Sequence, residues 1–242
     1  MTINNNMTTE NMAPYAGVIT VSCLTKEYKG RCVLSIPELK LKKGCRYAIL
    51  GANGSGKSTF LKILAGVEKP TSGTISALPA GKRAVGYLPQ TPYGFSLSVL
   101  KNVMIAIGRS PARKNMALSA LGEVGMSSLK NANASRLSGG ETQRMAFARI
   151  ISVQRKLLLL DEPTAAADLE GIALLEQVLL NYCSNNDCSV FFITHAPAQA
   201  ARLADEIIFL HQGEIAEMGQ AKQVLYEPQS DVARKFFEHW RM

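Results

Sequence analysis

Apolar and polar residues follow two kinds of pattern along the chain, one typical of β-strands and one typical of α-helices. Val18–Tyr28 alternates loosely between apolar and polar residues, which favours a half-buried strand. Leu157–Leu160 is a continuous apolar run, which is typical of a strand buried on both faces of a parallel sheet. The pattern predicts strands at Val18–Tyr28, Val33–Leu39, Arg46–Leu50, Thr74–Ser76, Ala84–Leu88, Leu157–Leu160, Ser189–Thr194 and Ile207–Leu210.

Segments with a helical pattern lie between most of these strands. Helices are predicted at Lys57–Ala65, Gly139–Val153, Leu169–Cys183, Ala198–Ala204 and Val232–Trp240. Strands that alternate with helices indicate an α/β fold with a mostly parallel central sheet. In residues 96–135 apolar residues recur at helical spacing without intervening strands, so we predict an inserted helical subdomain at about 91–137 within a single domain of 18–242.

Composition narrows the class of protein without naming a function. The 242 residues suffice for one domain with a sizeable core. The net charge of +8 suits a nucleic acid, an anionic membrane surface or a nucleotide, and equally a plain basic surface. The chain has no long block of Lys and Arg, so its charge alone does not indicate that it binds nucleic acid. Five cysteines without CxxC spacing predict reduced thiols in a cytosolic protein.

The sequence shows neither a secretory signal in residues 1–17 nor a membrane-spanning apolar run. The first 17 residues are polar and lack the basic and apolar regions of a secretory signal, so we predict a flexible tail. No apolar run approaches the roughly 18–20 residues that cross a bilayer. If the protein serves a membrane, we therefore expect it to dock on another subunit.

A glycine-rich segment after the strand at Arg46–Leu50 carries the first chemical signal. It reads Gly51, Ala52, Asn53, Gly54, Ser55, Gly56, Lys57 and Ser58, which fits G-x-x-x-x-G-K-[ST] in full. Its backbone N–H groups and the following helix N-terminus favour a polyphosphate such as that of ATP. Lys57 is expected at the β- and γ-phosphates and Ser58 at Mg²⁺, with Thr59 beside them. The loop alone does not separate a transporter subunit from a kinase or a GTPase.

Two carboxylates end the buried strand at Leu157–Leu160. Asp161 is placed to hold Mg²⁺, and Glu162 to orient or deprotonate the attacking water, because phosphoryl transfer depends on positioning and charge neutralisation. The alternative is an Asp-Glu pair that merely caps a helix after a core strand.

A second glycine motif, Leu137–Arg144, precedes the acidic strand. Ser138, Gly139 and Gly140 stand at a predicted helix N-terminus, which forms a second anion site or, alternatively, a plain helix start. One ATP does not need two such sites in one chain. The arrangement is explained if this motif closes over the nucleotide held by a second subunit.

From about Val18 to Leu225, these motifs and their order resemble the nucleotide-binding subunits of ABC transporters. The resemblance implies a P-loop NTPase core with an N-terminal antiparallel β subdomain and an inserted helical subdomain. It makes Gln90 the Q-loop glutamine near the metal and Asp168 the D-loop aspartate. It makes His195 the switch histidine, although a lone histidine at a strand end is usually structural. Tyr28 stacks on adenine or else simply closes a hairpin.

The sequence departs from the family pattern at three places. Glu141 replaces the usual glutamine of LSGGQ, Ala165–Asp168 differs from the usual D-loop, and Ala196 follows the switch histidine where aspartate is common. These changes concern contacts between subunits and remove no catalytic group.

The resemblance also implies partners. These are a transmembrane permease subunit, a second copy of the chain and, indirectly, a substrate-binding protein, at the cytoplasmic face of the membrane and without nucleic acid. The chain resembles bacterial importer cassettes, with tungstate ranked ahead of phosphate or polar amino acids. An exporter subunit and a nucleic-acid-linked P-loop ATPase stay open as alternatives.

Overall fold

The computed structural model describes residues 18–81 and 83–240, and the predicted tail at 1–17 lies outside them. The strands are β1 Val18–Tyr28, β2 Arg31–Lys42, β3 Arg46–Leu50, β4 Ser72–Ser76, β5 Val85–Leu88, β6 Leu157–Asp161, β7 Ser189–Ile193, β8 Glu206–His211 and β9 Glu214–Gln220. The helices are α1 Lys57–Leu64, α2 Val99–Ile107, α3 Arg113–Glu123, α4 Gly139–Ile151, α5 Leu169–Asn185, α6 Pro197–Leu203, α7 Ala221–Tyr226 and α8 Asp231–Glu238.

Two sheets confirm the predicted α/β class. The central sheet has the order β5-β6-β7-β3-β8-β9, and its strands are parallel except for the β8–β9 pair. The second sheet, β2-β1-β4, is antiparallel. The segment predicted as a helical subdomain contains α2, α3 and two 3₁₀ turns, and its exact limits stay a prediction.

The central sheet is buried on both faces. In β6, Leu157 and Leu159 pack with β1, β2 and α1, whereas Leu158 and Leu160 pack against the helical side. Burial of all four leucines explains why this strand is a continuous apolar run in the sequence.

Strand β9 and helix α7 were not predicted. β9 forms a hairpin with β8 through Gln212 and Gly213, which both have positive φ. Its residues are mostly half-exposed, so it lacks the strong apolar signal of the inner strands. In the described residues no helix is long and apolar enough to cross a bilayer. All five cysteines are unpaired.

Candidate nucleotide site

One cavity lies where the parallel strands end. The carboxyl ends of β3, β5, β6 and β7 meet at the same edge of the sheet, so the loops that follow them converge. The cavity has a volume of about 690 Å³. It is lined by Tyr28, Val33, Asn53, Gly54, Ser55, Gly56, Lys57, Ser58, Thr59, Gln90, Glu162 and His195. Five separated parts of the sequence prediction, namely Tyr28, the glycine-rich loop, Gln90, Glu162 and His195, therefore line a single site.

The glycine-rich loop needs glycine at two positions for steric reasons. Gly51 has a φ of +142°, and a Cβ there would lie 2.1 Å from the carbonyl oxygen of Leu210. Gly56 has a φ of +101°, and its Cβ would lie 2.9 Å from the Val33 carbonyl oxygen. Gly56 also precedes α1 without a side-chain cap, so the N–H groups of the first turn are left for a ligand.

Two polar side chains in the loop, Lys57 and Ser55, could donate hydrogen bonds to an anion. Lys57 is buried, and its Nζ donates to the carbonyl oxygens of Gly51 and Ala52, each at 2.8 Å. Burial lowers the pKa of Lys57, against the opposing effect of Glu162 and Asp161. Ser55 Oγ is buried and has no hydrogen-bond partner among the described residues. Bound phosphate oxygens would give Ser55 its missing partner and could accept from Lys57 in place of the two carbonyl oxygens.

A hydroxyl and a carboxylate face each other below the loop. Ser58 Oγ donates to Asp161 Oδ1 at 3.2 Å. Asp161 is only 2% exposed, and burial raises the pKa of its carboxyl despite the hydrogen bond from Ser58. In the described part of the chain no three His, Cys, Asp or Glu side chains form a metal cluster. One carboxylate and one hydroxyl suit Mg²⁺, which takes its remaining ligands from water and substrate phosphates.

Glu162 and His195 form a side-chain pair at the cavity. His195 Nε2 lies 3.0 Å from Glu162 Oε1. Glu162 has a φ of +50°, an unfavourable conformation for a residue other than glycine. Its carbonyl oxygen accepts from Ala165 N at 3.2 Å and from the buried Gln143 Nε2 at 3.3 Å. The surrounding contacts therefore hold Glu162 in a strained backbone conformation beside His195.

Tyr28 lies at the edge of the cavity and also closes the β1–β2 hairpin. It pairs with Arg31 across a turn formed by Lys29 and Gly30. Its hydroxyl donates to Glu68, and burial, then Glu68, raises the pKa of Tyr28. Lys26 Nζ lies 4.9 Å from the ring centroid. Both alternatives from the sequence are geometrically compatible, and stacking on adenine stays a prediction.

The second glycine motif does not line the cavity of its own chain. Ser138 and Glu141 form a capping box at the start of α4, in which Ser138 Oγ accepts from Glu141 N at 3.3 Å. Ser138 N donates to Glu141 Oε2 at 2.7 Å. A Cβ on Gly140 would lie 3.0 Å from the Ala166 carbonyl oxygen, so the motif packs on the segment before α5.

Asp168 and Gly139 also lie outside the cavity lining. Asp168 caps α5, because its Oδ1 accepts from Gly171 N at 2.8 Å. Gly139 lies beside Ala166 at the exposed start of α4. The structure thus brings the loop, the acidic strand end, Gln90, His195 and Tyr28 together, and leaves the residues predicted to reach a second subunit on the surface.

Sequence reasoning missed the residues that support the site. Glu68 holds Tyr28, and Gln143 holds the Glu162 carbonyl. Gln143 falls within the second glycine motif, so the sequence did mark it as a candidate for a functional role. Glu68 had no local signal, because its contact with Tyr28 spans 40 positions.

Comparisons with known proteins agree with this geometry. The model of the ABC transporter family matches residues 34–165. The chain is 34% identical to the tungstate uptake system ATP-binding protein TupC of Peptoclostridium acidaminophilum, covering 82% of this chain and 97% of the relative. It is 35% identical to the molybdate/tungstate import ATP-binding protein WtpC of Archaeoglobus fulgidus, covering 76% and 81%.

Other curated relatives, at 29–34% identity, carry names of importers for spermidine/putrescine, phosphate, Fe(3+) ions and aliphatic sulfonates. Among solved structures, the dimeric post-hydrolysis state of the ATP-binding cassette MJ0796, bound to ADP and Pi, superposes with a TM-score of 0.76. It is 26% identical and covers 84% of this chain and 98% of that one. The chain therefore belongs to the ABC transporter family, as one of its ATP-binding cassettes.

Proposed function

We propose that this chain hydrolyses Mg-ATP to energise an importer for an oxyanion, with tungstate as the first candidate. The observation that carries the ATPase assignment is the cavity lined by Lys57, Glu162 and His195, with the buried Asp161 hydrogen-bonded to the lining residue Ser58. A phosphate loop, a buried carboxylate for a cation and a carboxylate–histidine pair are together the parts that nucleotide hydrolysis requires.

The triphosphate would bind along the loop from Asn53 to Thr59. Lys57 would exchange its two backbone carbonyl partners for β- and γ-phosphate oxygens, and Ser55 would gain its missing partner. The adenine would stack on Tyr28, whose ring Glu68 and Lys26 hold at the edge of the cavity.

Ser58, Asp161 and Gln90 would hold Mg²⁺. When bound, the ion would neutralise charge on the phosphates. Glu162 would orient the attacking water and accept its proton. His195, 3.0 Å from Glu162, would fix that carboxylate and reach the γ-phosphate.

A second copy of the chain would complete each site. Ser138, Gly139, Gly140 and Asp168 lie outside the cavity of their own chain, and the cassette MJ0796 has been solved as a dimer. In a head-to-tail pair these residues would close over the partner's nucleotide. Closure would act on permease subunits at the cytoplasmic face of the membrane, fed by a substrate-binding protein.

The catalytic assignment is tested with Glu162→Gln. We expect the variant to bind ATP as the wild type does and to lose about 100-fold or more in kcat, because the group that activates water is gone. Glu170→Gln, an exposed carboxylate in α5, is the matched control and should keep wild-type activity. Normal turnover by Glu162→Gln would refute the assignment of the base.

The cargo is tested separately, in the complex with its permease and binding protein. We expect tungstate, and to a lesser degree molybdate, to stimulate ATP hydrolysis when loaded on the binding protein. Stimulation by phosphate, spermidine or a polar amino acid instead would refute the tungstate proposal and leave the ATPase assignment intact.

A further inference from the structure

Gln199 lies at the junction of three segments near the site. It stands on α6, four residues after His195, and is only 4% exposed. Its Nε2 donates to Thr164 Oγ1 at 3.0 Å and to Glu176 Oε1 at 3.1 Å. One side-chain amide therefore joins α6 to α5 and to the segment that follows β6.

The chemistry of the neighbours fixes the orientation of this amide. An ionised carboxylate only accepts hydrogen bonds, so the NH₂ group of Gln199 must face Glu176. Arg202 holds the same carboxylate by a two-pronged contact, from Nε at 2.8 Å and from Nη2 at 2.7 Å. Burial would raise the pKa of Glu176, but the bonds from Arg202 and Gln199 outweigh it and lower the pKa. Glu176 is thus a charged, fixed anchor for Gln199.

Thr164 lies two residues after Glu162, whose backbone is strained. Gln143 donates a hydrogen bond to the Glu162 carbonyl oxygen, and Gln199 donates one to the Thr164 hydroxyl two residues later. Without such restraints a residue at positive φ relaxes, because the conformation costs about 1–3 kcal/mol. Relaxation here would move the Glu162 carboxylate relative to His195.

We propose that Gln199 is a positioning residue for ATP hydrolysis. Through Thr164 it holds the turn of Glu162, and through its place on α6 it holds the loop of His195, so that the two side chains stay in contact. This inference rests on the proposed ATPase function. In the described structure the side-chain hydrogen bonds of Gln199 go to Thr164 and Glu176 rather than to Glu162 or His195.

The test replaces the amide and its partner one at a time. Gln199→Leu keeps the size of the side chain but donates no hydrogen bond, and Thr164→Val keeps the shape but loses the hydroxyl. We expect each to lower kcat about 10- to 100-fold, the loss that a displacement of about 1 Å can cause, with KM for ATP within twofold of the wild type.

Three further variants separate positioning from general damage. Thr164→Ser retains the hydroxyl and should keep kcat within about threefold of the wild type. The Thr164→Val/Gln199→Leu double variant should be no slower than the slower of the two single variants, because the bond between Gln199 and Thr164 is already absent from both. Gln177→Leu, an exposed glutamine of α5 bonded only to Asn181 in the described structure, is the control and should leave kcat and Tm unchanged.

The possible outcomes distinguish a failure of the positioning role of Gln199 from a failure of the proposed ATPase function. If the wild type hydrolyses Mg-ATP and Thr164→Val does so equally well, the positioning role is refuted. The same holds if Thr164→Ser is as slow as Thr164→Val, or if KM rises while kcat is unchanged. A wild type without Mg²⁺-dependent ATPase activity would refute the proposed function and this inference with it.

Discussion

At the scale of single residues, burial of the charged Asp161 carboxylate should destabilise the nucleotide-free chain, and a bound cation would remove this effect. The carboxylate is almost fully buried, and in the described structure the Ser58 hydroxyl is its only side-chain hydrogen-bond partner. Its folded-state pKa is raised by burial, so the ionised form destabilises the nucleotide-free protein at neutral pH.

Asp161→Asn should therefore stabilise the nucleotide-free chain at neutral pH. We expect a Tm increase of about 2–4 °C for each kcal/mol regained, measured by thermal melts. The increase should shrink as pH falls from the raised pKa of Asp161 to the ordinary value of 3.8, because the wild type then loses its buried charge. Mg-ATP should reverse the order by stabilising only the wild type.

Asp187→Asn is the control for this prediction. Asp187 is exposed, and the bond from Lys43 lowers its pKa, so its removal should not raise Tm at any pH. An Asp161→Asn variant that is no more stable than the wild type at neutral pH would contradict the argument from burial.

Glu141 places a negative charge at the start of α4, where we propose that the partner's nucleotide binds. The hydrogen bond from Ser138 N lowers the pKa of Glu141, so it is ionised at neutral pH. Glu141→Gln can keep the capping contact without the charge. A helix-terminal charge contributes about 0.3–1 kcal/mol, so ATP-driven dimerisation should need about two- to fivefold less ATP. Light scattering across an ATP titration would measure the ATP concentration at which half of the protein is dimeric. The same midpoint in Glu141→Gln and the wild type would contradict this prediction.

At the scale of elements, Asn102 of α2 pins the segment that leads from Gln90 into the helical region. Asn102 is fully buried, and its side chain bonds Phe95 N at 2.9 Å, Phe95 O at 3.1 Å and Ser98 O at 3.1 Å. Its Oδ1 also accepts from Arg149.

Asn102→Ala should destabilise the chain by about 1–3 kcal/mol, because buried polar groups lose their partners. We expect a lower midpoint of urea unfolding and faster amide exchange at residues 95–98. Asn115→Ala changes an exposed asparagine of α3 and should do neither. Equal protection of residues 95–98 in the Asn102 variant and the wild type would show that other contacts order this segment.

At the scale of the whole molecule, the proposed function divides the nucleotide site between the cavity of one chain and the start of α4 of a second copy. In the described part of the chain, the exposed start of α4 does not line the cavity that Tyr28, Lys57 and His195 line. We therefore expect Glu162→Gln with ATP to run as a dimer in size-exclusion chromatography, and as a monomer without ATP.

Adding Ser138→Arg to that variant should abolish the dimer, because a bulky cation would occupy the face that receives the partner. Ser184→Arg, a substitution at an exposed position of α5, is the control and should preserve it. A Ser138→Arg double variant that still dimerises with ATP would refute the head-to-tail arrangement.

Sequence alone determined the fold class and the core of the site, since both depend on local patterns. Alternating strands and helices specify a parallel sheet, and groups at the carboxyl ends of its strands must share one edge. This logic predicted Lys57, Asp161 and Glu162 at that edge, and the resemblance to ABC cassettes added His195. It missed β9, since a half-exposed edge strand carries only weak periodicity.

Only the tertiary structure decided what holds these groups in place. Gln199 reaches Thr164 across 35 positions and Glu176 across 23, and Tyr28 reaches Glu68 across 40. Such bonds depend on how helices and loops pack after folding, and they leave no periodicity or spacing in the chain. The sequence therefore specifies the groups that we propose to contact ATP, while packing specifies the residues that support them.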